Sequence, residues 1–136
     1  MFLNTNNILF IKGEWKYLKT FNYESNCVRY RDCFFDIGEY SKGRISLAIY
    51  GYIENDNNIS HISNATVNVE EELPEEQIVI DNYSNTNLIS FLMDLGIVKR
   101  IVKRVVVKFL LLPVVEVDLD LLKQYCYSKE ELRYAS

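Results

Sequence analysis

Apolar residues alternate with polar ones along much of the N-terminal half of the chain, and a period of two is that of a β-strand with one buried face. The alternation is clearest over residues 44–53, where a strand is predicted. Residues 29–37 are rich in aromatic and β-branched side chains and predict a second strand. Residues 8–23 alternate more loosely, which predicts one or two strands or a short helix.

Polar segments separate these strands. Residues 39–43 form a turn signal whose glycine tolerates positive φ, and residues 54–58 form a loop of Asn and Asp. A return strand is predicted over residues 59–69. The glutamates that follow, together with Pro74, end the sheet, and residues 77–80 predict a short strand.

The clearest helical signals lie in the C-terminal half of the chain. A first helix is predicted to begin at Asn85 or Thr86, each a favourable cap, and to end just before Gly96. Asp118 is the predicted cap of a second helix. The Ser-x-x-Glu spacing that begins at Ser128 is typical of a capping box and predicts a third.

Residues 98–112 carry a mixed signal. Their apolar positions recur every four residues, as in an amphipathic helix, but their many Val and Ile residues favour a strand. We predict one long strand here, with room for a bulge, and a further strand over residues 113–117. The order of elements predicts an α+β fold with a mostly antiparallel β-sheet and two or three short helices, in a single domain over residues 1–136.

The composition fits this picture and places the protein inside the cell. The 136 residues are 49% hydrophobic and 25% charged, which is typical of one globular domain. The chain has no apolar run long enough to cross a membrane, and its first residues do not resemble a signal peptide. We therefore expect a cytoplasmic protein with no membrane partner, whose three cysteines are free thiols.

The residues needed for most enzyme chemistry are scarce. His61 is the only histidine, and it lies in a predicted strand with no nucleophile motif near it. One histidine and three scattered cysteines do not form a zinc site, and neither type of glycine-rich phosphate loop occurs. We predict no catalytic residues, no cofactor and no metal, and therefore a noncatalytic protein.

The net charge of −4 resides in residues 69–136, where the two signs are segregated. Residues 70–76, here called the acidic segment, contain five glutamates, and residues 99–108, the basic run, contain five cations. The acidic segment is either a solvated loop or a partner-binding surface that imitates a phosphate backbone, and Tyr83 is its possible anchor. The basic run either contacts nucleic acid or an acidic partner, or protects an exposed strand edge from aggregation. The candidate residues are Glu70, Glu71, Glu72, Glu75, Glu76, Tyr83, Lys99, Arg100, Lys103, Arg104 and Lys108.

Six segments, taken in order, resemble domain-of-unknown-function family 4313, whose members are small proteins of phages and bacterial mobile elements. The segments are residues 40–49, 65–69, 73–75, 78–82, 91–97 and 113–119. The resemblance covers about residues 38–122, and residues 1–37 form an N-terminal extension without a clear counterpart. The chain departs from the family at residues 107–109, where Val, Lys and Phe replace a small Ser-Gly pair. No catalytic residues carry over.

The resemblance implies a genomic setting in which small proteins commonly inhibit host defence. We therefore expect a phage or mobile-element protein that binds a host defence protein, specifically an anti-CRISPR protein that occludes a Cas effector or its guide-RNA complex. The acidic segment would face a basic nucleic-acid channel, next to Tyr83.

Two alternatives remain open at this stage. One is a nucleic-acid-binding accessory protein that uses the basic run. The other is a metal-dependent nuclease, because Glu116, Asp118 and Asp120 occupy alternating positions and carboxylates are ligands of divalent cations. The same three positions are also those of a strand end that leads into a helix cap.

Overall fold

The computed structural model describes residues 7–11, 14–40, 44–54 and 58–127. Within these ranges the chain forms nine strands and two helices. Their bounds are β1 Asn7–Ile11, β2 Glu14–Leu18, β3 Phe21–Ser25, β4 Val28–Glu39, β5 Ile45–Ile53, β6 Ile59–Asn64, β7 Gln77–Val79, α1 Leu88–Asp94, β8 Val98–Val107, β9 Leu110–Val117 and α2 Leu119–Gln124. The fold is α+β with mostly antiparallel sheets and two short helices, which confirms the predicted class.

The chain divides into two compact units. The first unit consists of Met1–Ile37, Ala48–Ser63 and Gln124–Ser136, and the second of Gly38–Leu47 and Asn64–Lys123. The dividing points fall inside strands β4 and β5 and at the ends of β6 and α2. Among the described residues, no helix is both long and apolar enough to cross a bilayer.

The N-terminal segment of the first unit contains more strands than its loose alternation predicts. Strands β1 and β2 pair as an antiparallel hairpin, and β3 pairs with β4 in the sheet ordered β3-β4-β5-β6. Asn26 and Cys27 form the two-residue turn between β3 and β4, and both have positive φ, as a type I′ turn requires. The strand predicted over residues 29–37 is confirmed, and it extends further in both directions.

Aromatic packing around Phe35 holds the first unit together. The Phe35 ring lies 5.1 Å from that of Phe21, which meets the ring of Tyr125 edge-on at 5.8 Å. The Phe35 backbone N–H donates to the Tyr125 carbonyl, and its own carbonyl accepts from the N–H of Tyr127. The C-terminal end of the described chain is thereby fastened to β4 as a parallel bridge.

The second unit contains the three-stranded sheet ordered β7-β9-β8, in which β9 is central and β8 is an edge strand. The predicted single strand over residues 98–112 is wrong in its extent. Strand β8 ends at Val107, and the chain then reverses direction through Lys108 and Phe109, both of which have positive φ. Neither residue is a usual turn former, so the sequence conceals this hairpin. The β8–β9 register shifts twice, between Val98 and Arg100 and between Ile101 and Lys103, which is consistent with the bulge that the sequence leaves room for.

Two other predicted boundaries are also wrong. The return strand β6 ends at Asn64 because Thr66 leaves it for an isolated bridge to Ile80. Helix α1 begins later, at Leu88, and the buried amide of Asn85 donates to the backbone carbonyls of Asn64 and Asp81. The prediction for the end of α1 is confirmed, because Gly96 adopts φ of 81°.

At the start of α2, the carboxylate of Asp118 accepts from the N–H of Leu121, so the predicted cap is confirmed. The turn at residues 41–43, the loop at 55–57 and the third helix predicted at Ser128 lie outside the described residues.

Candidate functional site

The acidic segment is an irregular surface stretch whose five glutamates are all exposed. It contains bends and a turn, and within it no helix or strand forms. Its conformation is set by apolar residues around and within it, because Val69 and Leu73 pack against the core cluster of Val79, Leu112 and Val114. With Leu73 directed to this core, the neighbouring carboxylates project to solvent.

Two cations hold the acidic segment at Glu71. The ammonium group of Lys103, on β8, pairs with the Glu71 carboxylate. The guanidinium of Arg44 donates to the Glu71 backbone carbonyl. The two oppositely charged runs of the sequence therefore meet, although charge counting treats them as separate surfaces.

Three of the other carboxylates are available to a partner. Glu72, Glu75 and Glu76 form no ion pair within the described part of the chain. Two backbone hydrogen bonds order this part of the segment, since the Pro74 carbonyl accepts from the N–H of Gln77 and the Glu76 carbonyl accepts from the N–H of Val117.

The basic run is partly neutralised by the protein itself. Arg100 pairs with Glu116 across the β8–β9 ladder at 3.0 Å, and Lys103 pairs with Glu71. Lys99, Arg104 and Lys108 are exposed and form no ion pair among the residues that the structure describes. All five cations lie on or next to edge strand β8, where charge also discourages pairing with other sheets.

Tyr83 lies in a turn shaped by Asp81, whose carboxylate accepts from the backbone N–H groups of Tyr83 and Ser84. The Tyr83 side chain is 69% exposed. The acidic segment precedes β7 and Tyr83 follows it, so a strand of three residues, roughly 10 Å long, separates the two features.

The carboxylates proposed as metal ligands have other roles. Glu116 pairs with Arg100 and Asp118 caps α2. Nowhere in the described ranges do three His, Cys, Asp or Glu residues lie close enough to hold a metal ion. The three-carboxylate site is therefore a strand end followed by a helix cap, and the nuclease interpretation loses its geometric basis.

The three cysteines differ in their exposure to solvent. Cys27 is exposed, Cys126 is half-buried and Cys33 is fully buried, and the three form no disulfide. Burial raises the pKa of the Cys33 thiol to about 12, and the adjacent Asp32 carboxylate adds to the rise. Cys33 is thus a protonated core residue.

Sequence reasoning missed an apolar surface at the end of the β8–β9 hairpin, here called the hairpin tip. It consists of Val106, Phe109 and Leu111, which are 73%, 102% and 58% exposed. Val106 and Leu111 are register partners, and Phe109 is the second turn residue. The alternation of apolar and polar residues along β8 indicates that Val106 is exposed. The exposure of Phe109 and Leu111 depends on the turn, which the sequence does not predict.

A groove adjoins the hairpin tip. It has a volume of about 630 Å³ and is bounded on one side by residues 68–71 and on the other by residues 104–108 of β8 and the turn. Its lining combines apolar residues, such as Val69, with residues of both charges, Glu70 and Glu71 on one side and Arg104 and Lys108 on the other.

Comparisons of the chain with protein-family models, with curated proteins and with solved structures give no match. The resemblance to the mobile-element family stays a prediction from the sequence.

Proposed function

We propose that the protein is a noncatalytic inhibitor of bacterial defence that acts in the host cytoplasm. It binds a CRISPR–Cas effector and occupies its nucleic-acid channel with the acidic segment. The observation that carries the proposal is the group of exposed carboxylates on a segment that is fastened at Glu71 and Leu73. The resemblance to proteins of phages and mobile elements supplies the biological setting.

The chemistry of such a channel suits these carboxylates. Effectors hold their nucleic acids largely through Lys and Arg contacts to the phosphate backbone. Glu72, Glu75 and Glu76 can pair with the same cations, because no described residue of this chain pairs with them. Since an occluding protein needs surface complementarity alone, the proposal requires no active centre.

The fastening of the segment supports binding. A surface that is already ordered loses less conformational entropy when it binds than a loose loop does. Lys103 and Arg44 limit the motion of Glu71, while Leu73 is held against the core. Tyr83, at the other end of β7, adds an exposed aromatic side chain of the kind enriched at interface centres.

The proposal is tested with phages that plate poorly on CRISPR-immune hosts. The gene is expressed in a panel of immune strains, each with a different effector type, and plating efficiency is measured for a phage that the strain targets. In one strain, expression should restore plating. No restoration in any strain would contradict the proposal.

Charge-reversed variants then test whether the acidic segment is the surface that binds the effector. The triple reversal Glu72→Lys, Glu75→Lys and Glu76→Lys should abolish the restoration. A matched reversal at Glu39, Glu54 and Asp94, which are exposed residues outside the acidic segment, makes the same change in net charge. This control should leave the restoration intact, and equal loss in both variants would show that net charge alone matters.

A second candidate function follows from the cations of the basic run that have no described ion-pair partner, namely Lys99, Arg104 and Lys108. As a nucleic-acid-binding protein it would make about three phosphate contacts, so log affinity should fall with log salt with a slope near −3. Fluorescence anisotropy with a labelled oligonucleotide measures the slope. Equal binding by wild type and by the triple alanine variant would rule this function out.

A further inference from the structure

The turn at the end of the β8–β9 hairpin is strained, and the fold gains no packing from it. Lys108 and Phe109 have φ of 46° and 71°, in the left-handed region that side chains disfavour. Asn and Gly are the usual residues of such a turn. The Phe109 ring is wholly exposed, so it makes no core contact in return. Strain at an exposed aromatic residue points to a function at the surface.

The apolar side chains of the hairpin tip lie on the face of the hairpin that is turned away from the core. Val105 and Val107 pack against the buried core cluster of the second unit. Because side chains alternate along a strand, Val106 lies on the opposite face, here called the outer face. Its register partner Leu111 lies beside it on that face, and Phe109 lies at the turn next to both.

Two cations accompany the hairpin tip. Arg104 lies two residues before Val106 and therefore on the same outer face, about 7 Å further from the turn. Lys108 lies in the turn itself. Both cations are exposed and form no ion pair among the residues that the structure describes. The end of the hairpin thus combines an apolar apex with uncompensated positive charge.

The anions beside the hairpin are already engaged within the chain. Glu71 pairs with Lys103, which precedes Arg104 in the strand and therefore points to the opposite, inner face. Glu70 also has an interaction within the chain. Val69 packs against the core cluster, so the segment that carries these glutamates follows the inner face of the hairpin. The outer face consequently attracts anions.

We propose that the hairpin tip binds the surface of a bilayer that contains anionic phospholipids. Phe109, Val106 and Leu111 enter the boundary between headgroups and acyl chains, while Arg104 and Lys108 pair with lipid phosphates. The distance from the Val106–Leu111 pair to the turn is about 7 Å, within the roughly 5–10 Å to which interfacial elements enter a bilayer. The long side chain of Lys108 reaches back to the headgroups from the turn.

The proposal goes beyond the proposed function and does not depend on it. It does revise one expectation from the sequence, that of no membrane partner. That expectation rests on the lack of an apolar run long enough to span a bilayer, and a tip that enters only the bilayer surface needs no such run.

Other partners suit the hairpin tip less well. Single-stranded nucleic acid stacks its bases on aromatic rings, which would use Phe109 but leave Val106 and Leu111 without a role. A standard protein interface buries about 800 Å² per partner, whereas three exposed apolar side chains offer on the order of 400 Å². A fluid bilayer accommodates a small tip, because its lipids rearrange around the inserted side chains.

The size of the tip sets the expected strength of binding. A single myristoyl chain binds bilayers with a constant on the order of 10⁴ M⁻¹. Three short apolar side chains and two cations should not exceed it. We therefore expect reversible binding that is half complete at about 0.1–1 mM lipid.

Co-sedimentation of the full chain with lipid vesicles tests the proposal. The vesicles consist of phosphatidylcholine alone or of an equal mixture with phosphatidylglycerol. The protein should bind the mixed vesicles at least about tenfold more tightly, because each cation near an anionic surface contributes roughly fivefold. No binding to mixed vesicles at about 5 mM lipid would overturn the proposal. Binding to a labelled oligonucleotide without binding to vesicles would assign the tip to nucleic acid and would also overturn it.

Substitutions at Phe109 separate insertion from stacking. Phe109→Ser should weaken binding to mixed vesicles about tenfold or more, and the fold should survive because the ring makes no core contact. Phe109→Leu keeps an apolar side chain and should bind within about threefold of the wild type. Met93→Ser, at an exposed apolar residue of α1, is the control and should bind as the wild type does. Wild-type binding by Phe109→Ser, or equal losses in the Ser and Leu variants, would overturn the proposal.

Substitutions of the cations test the contact with lipid phosphates. Arg104→Gln and Lys108→Gln should each weaken binding to mixed vesicles about fivefold and leave binding to phosphatidylcholine unchanged. Lys123→Gln, at an exposed position of α2, makes the same change in net charge and should have no such effect. Equal losses in all three variants would show that net charge alone matters and would contradict the assigned contact.

Fluorescence tests the depth of the tip directly. Phe109→Trp places a fluorophore at the apex, and lipids with brominated acyl chains quench only a fluorophore that reaches them. The emission of this variant should be quenched on mixed vesicles. The wild type, whose only tryptophan is Trp15, is the control and should keep its emission. Unquenched emission from bound Phe109→Trp would overturn the proposal.

Discussion

The ammonium group of Lys103 pairs with the carboxylate of Glu71, across 32 residues of sequence. The contact joins the two charge runs of the chain on one surface of the second unit. Each side chain is nearly half exposed, so the pair contributes little to the free energy of unfolding, about 0–1 kcal/mol. Its importance is positional, because it fixes the acidic segment near its N-terminal end.

A double-mutant cycle on this pair should confirm that small value. Lys103→Met and Glu71→Gln each keep the side chain's length and remove its charge. We expect a coupling free energy of about 0.5 kcal/mol from urea unfolding, and we expect it to shrink in high salt. A coupling above about 2 kcal/mol would mean that the pair is a main support of the fold.

The two strained turns predict that glycine stabilises the protein. Cys27 has φ of 66° in the β3–β4 turn, and Phe109 has φ of 71° in the β8–β9 turn. Cys27→Gly and Phe109→Gly should each raise the free energy of unfolding by about 1 kcal/mol. Ser90→Gly, at an exposed helical position, should instead lower it by about 0.5 kcal/mol. If all three variants lose stability, the turn conformations are not strained.

Buried Cys33 predicts a loss of stability in alkali. The folded-state pKa of about 12 exceeds the ordinary value of 9.0, so the folded protein keeps a proton that the unfolded chain releases. The contribution of Cys33 to stability is full below pH 9 and is lost as the pH rises through 12. The slope approaches about 1.4 kcal/mol per pH unit for one proton.

Urea unfolding between pH 8 and pH 10, with a reductant present, measures this slope. Cys33→Ala costs stability at every pH but should remove most of the slope, because Tyr23, whose pKa burial also raises, ionises only at higher pH. An identical slope in this variant would assign the effect to another group.

Substitutions at Asp118 test whether this residue acts as the cap of α2. Its carboxylate accepts from the N–H of Leu121 at 3.1 Å. Asp118→Ala should cost about 1 kcal/mol in unfolding free energy, whereas Asp118→Asn, which keeps an acceptor oxygen, should cost less than half as much. Equal losses would indicate that the negative charge itself is required.

The sequence predicts the elements whose residues match local rules. Strand β5 follows the alternation of residues 44–53, and α2 follows its Asp cap. The predictions fail where tertiary contacts decide. Asn85 resembles a helix cap, but its buried amide satisfies two carbonyls, so α1 begins later. The turn at residues 108–109 lacks turn formers, and propensity therefore extends β8 through it.

The candidate surfaces, too, are predictable from the sequence only in part. The exposure of the acidic segment is predictable, because a run of glutamates with a proline cannot be buried or continue a sheet. Its contact with Lys103 is not, since that contact depends on how residues 68–73 pack over the β8–β9 face. The exposure of Phe109 depends on the position of the turn, which the sequence conceals.

We propose that the acidic segment occupies the nucleic-acid channel of an effector, where it competes with nucleic acid. The most direct test is competition, in which the effector identified by phage plating is purified with its guide and mixed with labelled target DNA and this protein. The protein should displace the DNA, and the reversal at Glu72, Glu75 and Glu76 should not. Simultaneous binding of DNA and protein to one effector, or undiminished displacement by the reversed variant, would contradict the claim.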